Sequence, residues 1–340
     1  MGNKRHFKGN NASEDRKRRR EAAEKWKNTR GEDNKNGWGQ ISTENKRFEA
    51  FYKAQHFTSD SDKDWTDFLE TLRKTLPACF RISPDSPYAD DLQKQLLSYM
   101  GEKMKVDDVE IEPVEQLHWY PNGYGYKLGT DRRSIRKLSA LADLHKWMIQ
   151  HTDNGNITRQ EAVSMVPPIA LAAEPHHRCL DMCAAPGSKT SQLLEIVNRS
   201  LHEAPENQGL VVANDADTDR AYMLVHQCKR INSPLLVVTT HKGQLFPTIK
   251  DETQNKSEFF DRVLCDVPCS GDGTLRKNPG IWSKWSTSMG VTLHPLQLMI
   301  ARRGLQVLKT GGMLVYSTCS MSPYGECYVH ICPLLHLRYK

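Results

Sequence analysis

The feature that most constrains this chain is a strand–loop–helix rhythm that repeats across residues 177–316. Short apolar runs that suit buried strands (178–182, 210–213, 235–239, 262–265 and 313–316) alternate with helical patterns over 188–197, 217–231 and 296–308. Alternation of this kind forces a parallel sheet, because each strand must return through a crossover helix, and those crossovers are right-handed. The expected fold class is therefore α/β, a doubly wound Rossmann-like sheet. Ligands of such sheets lie beyond the carboxyl ends of the strands. The residues just past each apolar run are then where chemistry is expected.

After the first run come Cys183, Ala184, Ala185, Pro186, Gly187, Ser188 and Lys189, which lead into a helix. Small residues allow a ligand close to the backbone, and a helix start offers free N–H groups and a positive dipole end to an anion. The loop is neither a G-x-G-x-x-G fingerprint nor a Walker loop. Asp215, after the second run, stands where an acid can bind ribose hydroxyls. Together they point to a nucleoside-containing cofactor; a close-packed strand–helix turn without a ligand is the other reading. The fourth run delivers Asp266, and the chain then breaks at Pro268 into a glycine-rich loop that carries Cys269. A second thiol, Cys319, comes after the fifth run. One acid and two thiols at strand ends make a candidate reaction centre.

Cys179/Cys183 and Cys265/Cys269 have C-x₃-C spacing, within the loose range for zinc. Cys179 and Cys265 fall inside apolar runs, however, where free cysteine serves as a small hydrophobe, so no metal is expected. The nine cysteines read as reduced thiols. No run approaches the ~18 apolar residues of a membrane span, so no membrane association is expected.

The net charge of +6 is concentrated at one end: residues 1–30 hold eleven Lys/Arg against four Asp/Glu. With its Arg16–Arg20 block, residues 1–45 read as a disordered basic arm that favours polyanions or serves as a nuclear address. Residues 46–150 come next as a small α/β region. Phe48, Phe51 and Tyr52, then Trp65, Phe68, Leu69 and Leu72, recur at helical spacing and suit two helices on a core. Further pieces read as extended over 77–82 and helical over 92–100 and 138–149. Residues 113–130 look like a loop, with Trp119, Tyr120, Tyr124 and Tyr126 among glycines and Arg132, Arg133, Arg136 and Lys137 just beyond. Such a loop either stacks unpaired bases or packs between domains.

Three of these motifs occur together in a known family. The stretches 182–190, 266–273 (Asp-Val-Pro-Cys-Ser-Gly-Asp-Gly) and 317–320 (Ser-Thr-Cys-Ser) resemble the Sun family of S-adenosylmethionine-dependent RNA cytosine-5 methyltransferases. Residues 159–168 resemble its lead-in to the cofactor domain. The span of about 46–325, with the basic arm, is most similar to the eukaryotic tRNA branch. The resemblance implies S-adenosylmethionine as cofactor and RNA, most specifically tRNA, as partner. It also implies an N-terminal RNA-recognition region over 46–150, a methyltransferase domain over 151–325, and a nuclear or nucleolar location; the oligomeric state stays open, with a monomer as the expectation.

Within that pattern Cys319 is the nucleophile that adds to carbon 6 of cytosine. Asp266 holds the base edge and stabilises the adduct, and it also borders the cofactor. Cys269 assists release, and the base must leave its stack to be reached. Lys189 either binds the cofactor's carboxylate or lowers a thiol pKa. Lys242 stands where many relatives have an acid near the adenine. The chain stops about twenty residues after Cys319, and 326–340 does not resemble the family's continuation. The resemblance thus leads one to expect an incomplete sheet whose fifth strand is exposed. An RNA-binding remnant without turnover, or a methyltransferase for a small molecule or protein, are the alternatives.

Overall fold

The computed structural model describes residues 42–323 apart from 57, 59–60, 100–103, 107–108 and 250–257. The basic arm, but for its last residues, and the 326–340 tail lie outside the described residues. The described residues from Asn45 onward form the larger of two units.

Two five-stranded sheets build the larger unit. The first is antiparallel, in the order β2-β3-β4-β1-β5, from β1 (Pro77–Ile82), β2 (Met104–Val106), β3 (Val109–Gln116), β4 (Gly125–Asp131) and β5 (Ile157–Arg159). Its apolar face, with Phe80, Ile82, Tyr126 and Leu128, packs under α3 (Ala89–Leu97), α4 (Arg132–Lys137) and α5 (Ala142–Asp153). The first sheet therefore runs past residue 150: β5 pairs with β1, and the change to the second sheet comes after Arg159.

Residues 113–130 belong to the β3–β4 hairpin: 113–116 and 125–130 are strand, and only 117–124 between them is the expected loop. Tyr120 and Tyr126 are buried, and Tyr126 stacks on Phe80 with ring centroids 5.4 Å apart, so neither is a base-stacking platform. One glycine accounts for part of the difference. Gly129 lies opposite Glu112, and a Cβ there would sit 1.8 Å from the Glu112 carbonyl oxygen. Glycine marks a close strand approach here rather than a turn.

The second sheet is wholly parallel, in the order β10-β9-β6-β7-β8. Its strands are β6 (Arg178–Asp181), β7 (Leu210–Asn214), β8 (Leu236–Thr239), β9 (Phe260–Asp266) and β10 (Leu308–Ser317). Helices α6 (Ala162–Ala170), α7 (Ser188–Asn198), α8 (Thr218–Cys228) and α9 (Ser288–Val307) accompany them. Both faces are covered, which explains the continuous apolar runs. Cys179, Val211 and Leu264 meet Leu193, Leu194 and Val197 of α7. Leu180, Val212, Val263 and Cys265 meet Ile300 and Val307 of α9. Cys179 and Cys265 are thus core residues on opposite faces.

α9 begins eight residues before the expected start because it continues through Pro295. An interior proline normally ends a helix; here the burial of Gly290, Gln297, Ile300, Ala301, Gly304 and Val307 along its length holds the helix together. β10 is the sheet edge among the described residues. No described helix is long and apolar enough to cross a membrane.

α1 (Lys46–Ala54) and α2 (Asp62–Arg73) do not join the first sheet. Phe48, Tyr52, Leu69 and Leu72 pack on Leu275, Trp282 and Trp285, in the segment that comes after Cys269. Asn45 fixes the joint. Its Oδ1 caps α1 by accepting from Arg47 N and Phe48 N, each at 3.0 Å, while its Nδ2 donates to the Trp282 carbonyl at 2.7 Å.

Candidate active site

The order of the parallel sheet reverses beside β6: the chain steps outward through β7 and β8, then returns to lay β9 on the other side. A crevice forms at such a switch point. Register then decides which residues share it. Ser317 is the Cα partner of Asp266, so β9 and β10 end side by side and their outgoing loops leave together. Cys269 comes three residues after Asp266 and Cys319 two after Ser317. Their sulfurs lie 3.2 Å apart, a thiol hydrogen bond rather than a disulfide.

Asp266 Oδ2 accepts from Lys189 Nζ at 2.6 Å and Oδ1 from Ser317 Oγ at 2.8 Å. The hydrogen bond from Cys269 holds the Cys319 thiol below its ordinary range, helped by the positive charge of Lys189. The same bond, with burial, pushes the Cys269 thiol up. The pair thus stores its proton on Cys269 and leaves Cys319, the exposed sulfur, as the better nucleophile.

The loops are clamped by a residue that sequence reasoning passed over. Asp272 is fully buried, and its carboxylate accepts from Ser270 Oγ at 3.0 Å, Met321 N at 2.9 Å, Trp285 Nε1 at 2.9 Å and the Tyr52 hydroxyl. One buried charge therefore ties the residue after Cys269 to the backbone just beyond Cys319, and both to α1. Ser270 Oγ and Ser320 Oγ add a direct link at 2.7 Å, and Gly273 N donates to the Cys319 carbonyl at 2.9 Å. The only sequence signal was an acid between two glycines in an otherwise uncharged loop. Its partners, at sequence separations of up to 220 residues, gave none.

On the other side of the crevice lies the β6–α7 loop. Ala184 and Ala185 are buried and Pro186 is exposed after a cis peptide bond. Asp215 is buried and braces the loop: Oδ2 accepts from Ala185 N and Oδ1 from Asp217 N, each at 3.1 Å, with Arg220 3.5 Å away. Gly187 has φ +108°, and a Cβ there would lie 2.9 Å from Leu224 Cδ1. Its missing side chain therefore serves helix packing rather than ligand approach. Burial pushes the Cys183 thiol up, which makes it a poor nucleophile.

Asp181, at the end of β6, is a further residue the sequence did not single out. Burial pushes its carboxyl up to about 7; Oδ2 accepts from Thr190 Oγ1 at 2.7 Å, and Oδ1 has no partner among the described residues. Lys242 is exposed, in a loop pinned by Asn214, whose side chain bonds the His241 carbonyl at 2.8 Å and His241 N at 2.9 Å.

Residues 168–336 match the model of a family described as 16S rRNA methyltransferase RsmB/F. Through this domain the chain belongs to that family. Curated relatives of this RsmB/F chain carry tRNA methyltransferase names. The Drosophila melanogaster tRNA (cytosine(34)-C(5))-methyltransferase is 46% identical over 299 residues, covering 84% of this chain and 39% of the relative. The Saccharomyces cerevisiae multisite-specific tRNA:(cytosine-C(5))-methyltransferase is 44% identical over 300 residues, covering 84% of this chain and 42% of the relative. The chain thus spans less than half the length of either. Among solved structures, a methyltransferase homolog from Pyrococcus horikoshii superposes with a TM-score of 0.57 at 27% identity, covering 79% of this chain and 73% of that one. NSun6 from the same organism gives 0.59 at 16% identity, covering 87% of each chain, and shows the shared Rossmann-like fold.

Proposed function

We propose that this chain methylates carbon 5 of a cytosine in RNA, with tRNA as the substrate class, through a transient bond between Cys319 and the base. The observation that carries the reading is the 3.2 Å approach of the Cys269 and Cys319 sulfurs beside the Lys189–Asp266 pair. S-adenosylmethionine supplies the methyl group when bound. The residues present suit it. The Asp215 carboxylate has acceptor capacity left for a ribose diol after its two backbone bonds, and Asp181 Oδ1 is an unpaired oxygen for an ammonium group.

Carbon 5 of cytosine becomes nucleophilic once a thiolate adds to carbon 6. Cys319 is suited to that addition, because its neighbours stabilise the sulfur anion. Asp266, paired with Lys189, can accept from the base's amino edge and steady the positive charge the adduct carries once N3 is protonated from solvent. When solvent water accepts the carbon 5 proton, that electron pair restores the carbon 5–carbon 6 double bond, the carbon–sulfur bond breaks and Cys319 departs as a thiolate. Cys269, already bonded to that sulfur, can return its proton to it. Lys189 therefore acts through Asp266 and Cys319 in this scheme. A remnant that binds RNA without turnover is not favoured, since the relatives aligned over most of the chain bear enzyme names.

The test is incubation with 5-azacytosine RNA, with S-adenosylmethionine present, followed by denaturing electrophoresis. A covalent RNA–protein band is expected from the native chain and from Cys269→Ala, and none from Cys319→Ala. A band that persists in Cys319→Ala would end this scheme. On ordinary RNA, Cys269→Ala should accumulate the adduct that the native chain releases. We also read the Arg16–Arg20 block as a nuclear address; alanine at those five positions should move a fluorescent fusion out of the nucleus, and an unchanged distribution refutes it.

A further inference from the structure

A cleft of about 560 Å³ opens between the first sheet and the β6–α7 side of the second. Its cations come from three elements: Arg132, Arg133 and Arg136 of α4, Arg159 at the end of β5, and Arg276 and Lys277 in the segment after Cys269. Ser188 also lines it, and the next residue, Lys189, is the one paired with Asp266. One wall of the cleft thus includes the residue before Lys189, and another belongs to the segment that follows Cys269.

The charge in this cleft is not balanced from within. Asp131 and Glu161 are the acids on its walls. Asp131 Oδ1 is taken by the α4 N-terminus, accepting from Arg133 N at 2.6 Å and Ser134 N at 3.2 Å, and Glu161 pairs with Lys277 at 2.8 Å. Arg276 is fixed by donating Nε and one terminal nitrogen to the carbonyls of Lys74 and Thr75, each at 3.0 Å, two acceptors that carry no net charge.

Arg159 is the most telling. Its Nε is buried with no hydrogen-bond partner among the described residues, although a buried N–H is costly to leave unpaired. Burial, then the nearby charges of Arg132 and Arg230, disfavour its protonated form. A guanidinium held part-buried beside other guanidinium groups, with a donor unspent, suits an anion brought from outside. The spread of cations over separate elements suits several anions in a row, as a polynucleotide backbone presents, better than one small ion. With Tyr120 and Tyr126 in the core, the contacts available in this cleft are to phosphates and not stacked bases.

We propose that this cleft seats consecutive phosphodiesters of the substrate strand next to the target cytosine, with Arg159 as the inner anchor and Arg132 and Arg136 as outer contacts. The proposal rests on RNA being the substrate. It assigns Arg159 to positioning, so its loss acts on RNA affinity and leaves the sulfur chemistry in place.

The full chain should be compared with Arg159→Gln, with Arg159→Lys and with the exposed pair Arg132→Gln/Arg136→Gln, using Lys63→Gln on α2 as a surface control. Methyl transfer to bulk tRNA is measured against RNA concentration at several salt concentrations. Each phosphate contact removed should raise the KM for RNA roughly tenfold and lower the log–log salt slope by about one, with turnover recovered at saturating RNA. Arg159→Lys should restore part of the slope, and Lys63→Gln should behave as native. Melting curves separate a folding defect, and the α4 pair, being exposed, tests the cleft without touching the core. A native KM and native slope in the α4 pair and in folded Arg159→Gln overturn the proposal while leaving the RNA reading intact. Inorganic phosphate binding lost in Arg159→Gln with the RNA KM unmoved would mean a small-anion site only, and also overturns it. If the native chain forms no adduct with 5-azacytosine RNA, the functional reading fails first and this proposal with it.

Discussion

Removing the Arg81 guanidinium should nearly unhinge the two sheets. Arg81 on β1 is fully buried, and Glu195 on α7 is 1% exposed. Arg81 Nε and one terminal nitrogen hold the two Glu195 oxygens at 3.1 and 2.9 Å, and the other donates to Gln160 Oε1 at 2.6 Å. Arg81→Met fills similar space but removes all three bonds. Glu195 would keep Thr158 Oγ1 at 3.0 Å as its remaining partner. Breaking a buried ion pair from one side costs about 3–5 kcal/mol, because a charge is left without compensation. Burial already pushes the Glu195 carboxyl up, so it can take a proton in the variant, which favours the lower end of that range. For a chain of this size the melting temperature should fall by on the order of 10 °C. Urea denaturation followed by tryptophan fluorescence gives the free energy directly. The double variant Arg81→Met/Glu195→Leu should regain most of the loss, since apolar replacement of both partners is close to neutral. A single variant that loses less than about 1 kcal/mol, or a double variant no better than the single, would refute the reasoning.

Tyr52→Phe removes one of four donors to Asp272 and leaves the other three; a loss of about 1.5–3 kcal/mol in stability is expected, as for hydrogen bonds to a charge. Turnover should fall with the KM for RNA unchanged, and the pH profile of turnover should shift as the sulfurs move; native turnover and a native profile would remove α1 from the positioning of Cys319. Asp181 titrates near 7 in the folded chain against about 3.9 unfolded, so the folded state binds the extra proton between those values and stability falls as pH rises through that window. Asp181→Asn should abolish that fall, its stability relative to the native chain improving from about pH 4 and levelling above about pH 7; parallel denaturation curves across the range would contradict it. Gly187→Ala forces φ +108° on a residue with a Cβ and drives that atom against Leu224, so about 1–3 kcal/mol of stability should be lost, together with affinity for S-adenosylmethionine by calorimetry. An unchanged melting temperature would show that the loop yields.

Much of the second sheet was legible because each of its strands is buried on two faces. Leu180, Val211, Val263 and Leu264 then form unbroken apolar runs, and strand ends can be read from where the runs stop. The first sheet was harder. Its β3–β4 hairpin carries Gly129 at a close backbone approach, and in a linear reading such a glycine looks like a turn. Pro295 likewise hid the first turns of α9, since the tertiary contacts that tolerate it leave no local trace.

The chain's order of residues determined on its own which groups end the parallel strands: Asp215, Asp266, Cys269 and Cys319 come after apolar runs whatever the packing. Only the folded arrangement decided that the two thiols meet. Parallel pairing of β9 with β10 sets Asp266 against Ser317, and the residues beyond them have nowhere to go but together. The Asp272 clamp, the Arg81–Glu195 joint and the arginine-lined cleft were decided at the same level. Each joins groups from distant parts of the chain, and contact between such groups is created by sheet order and helix packing, of which local composition carries no record.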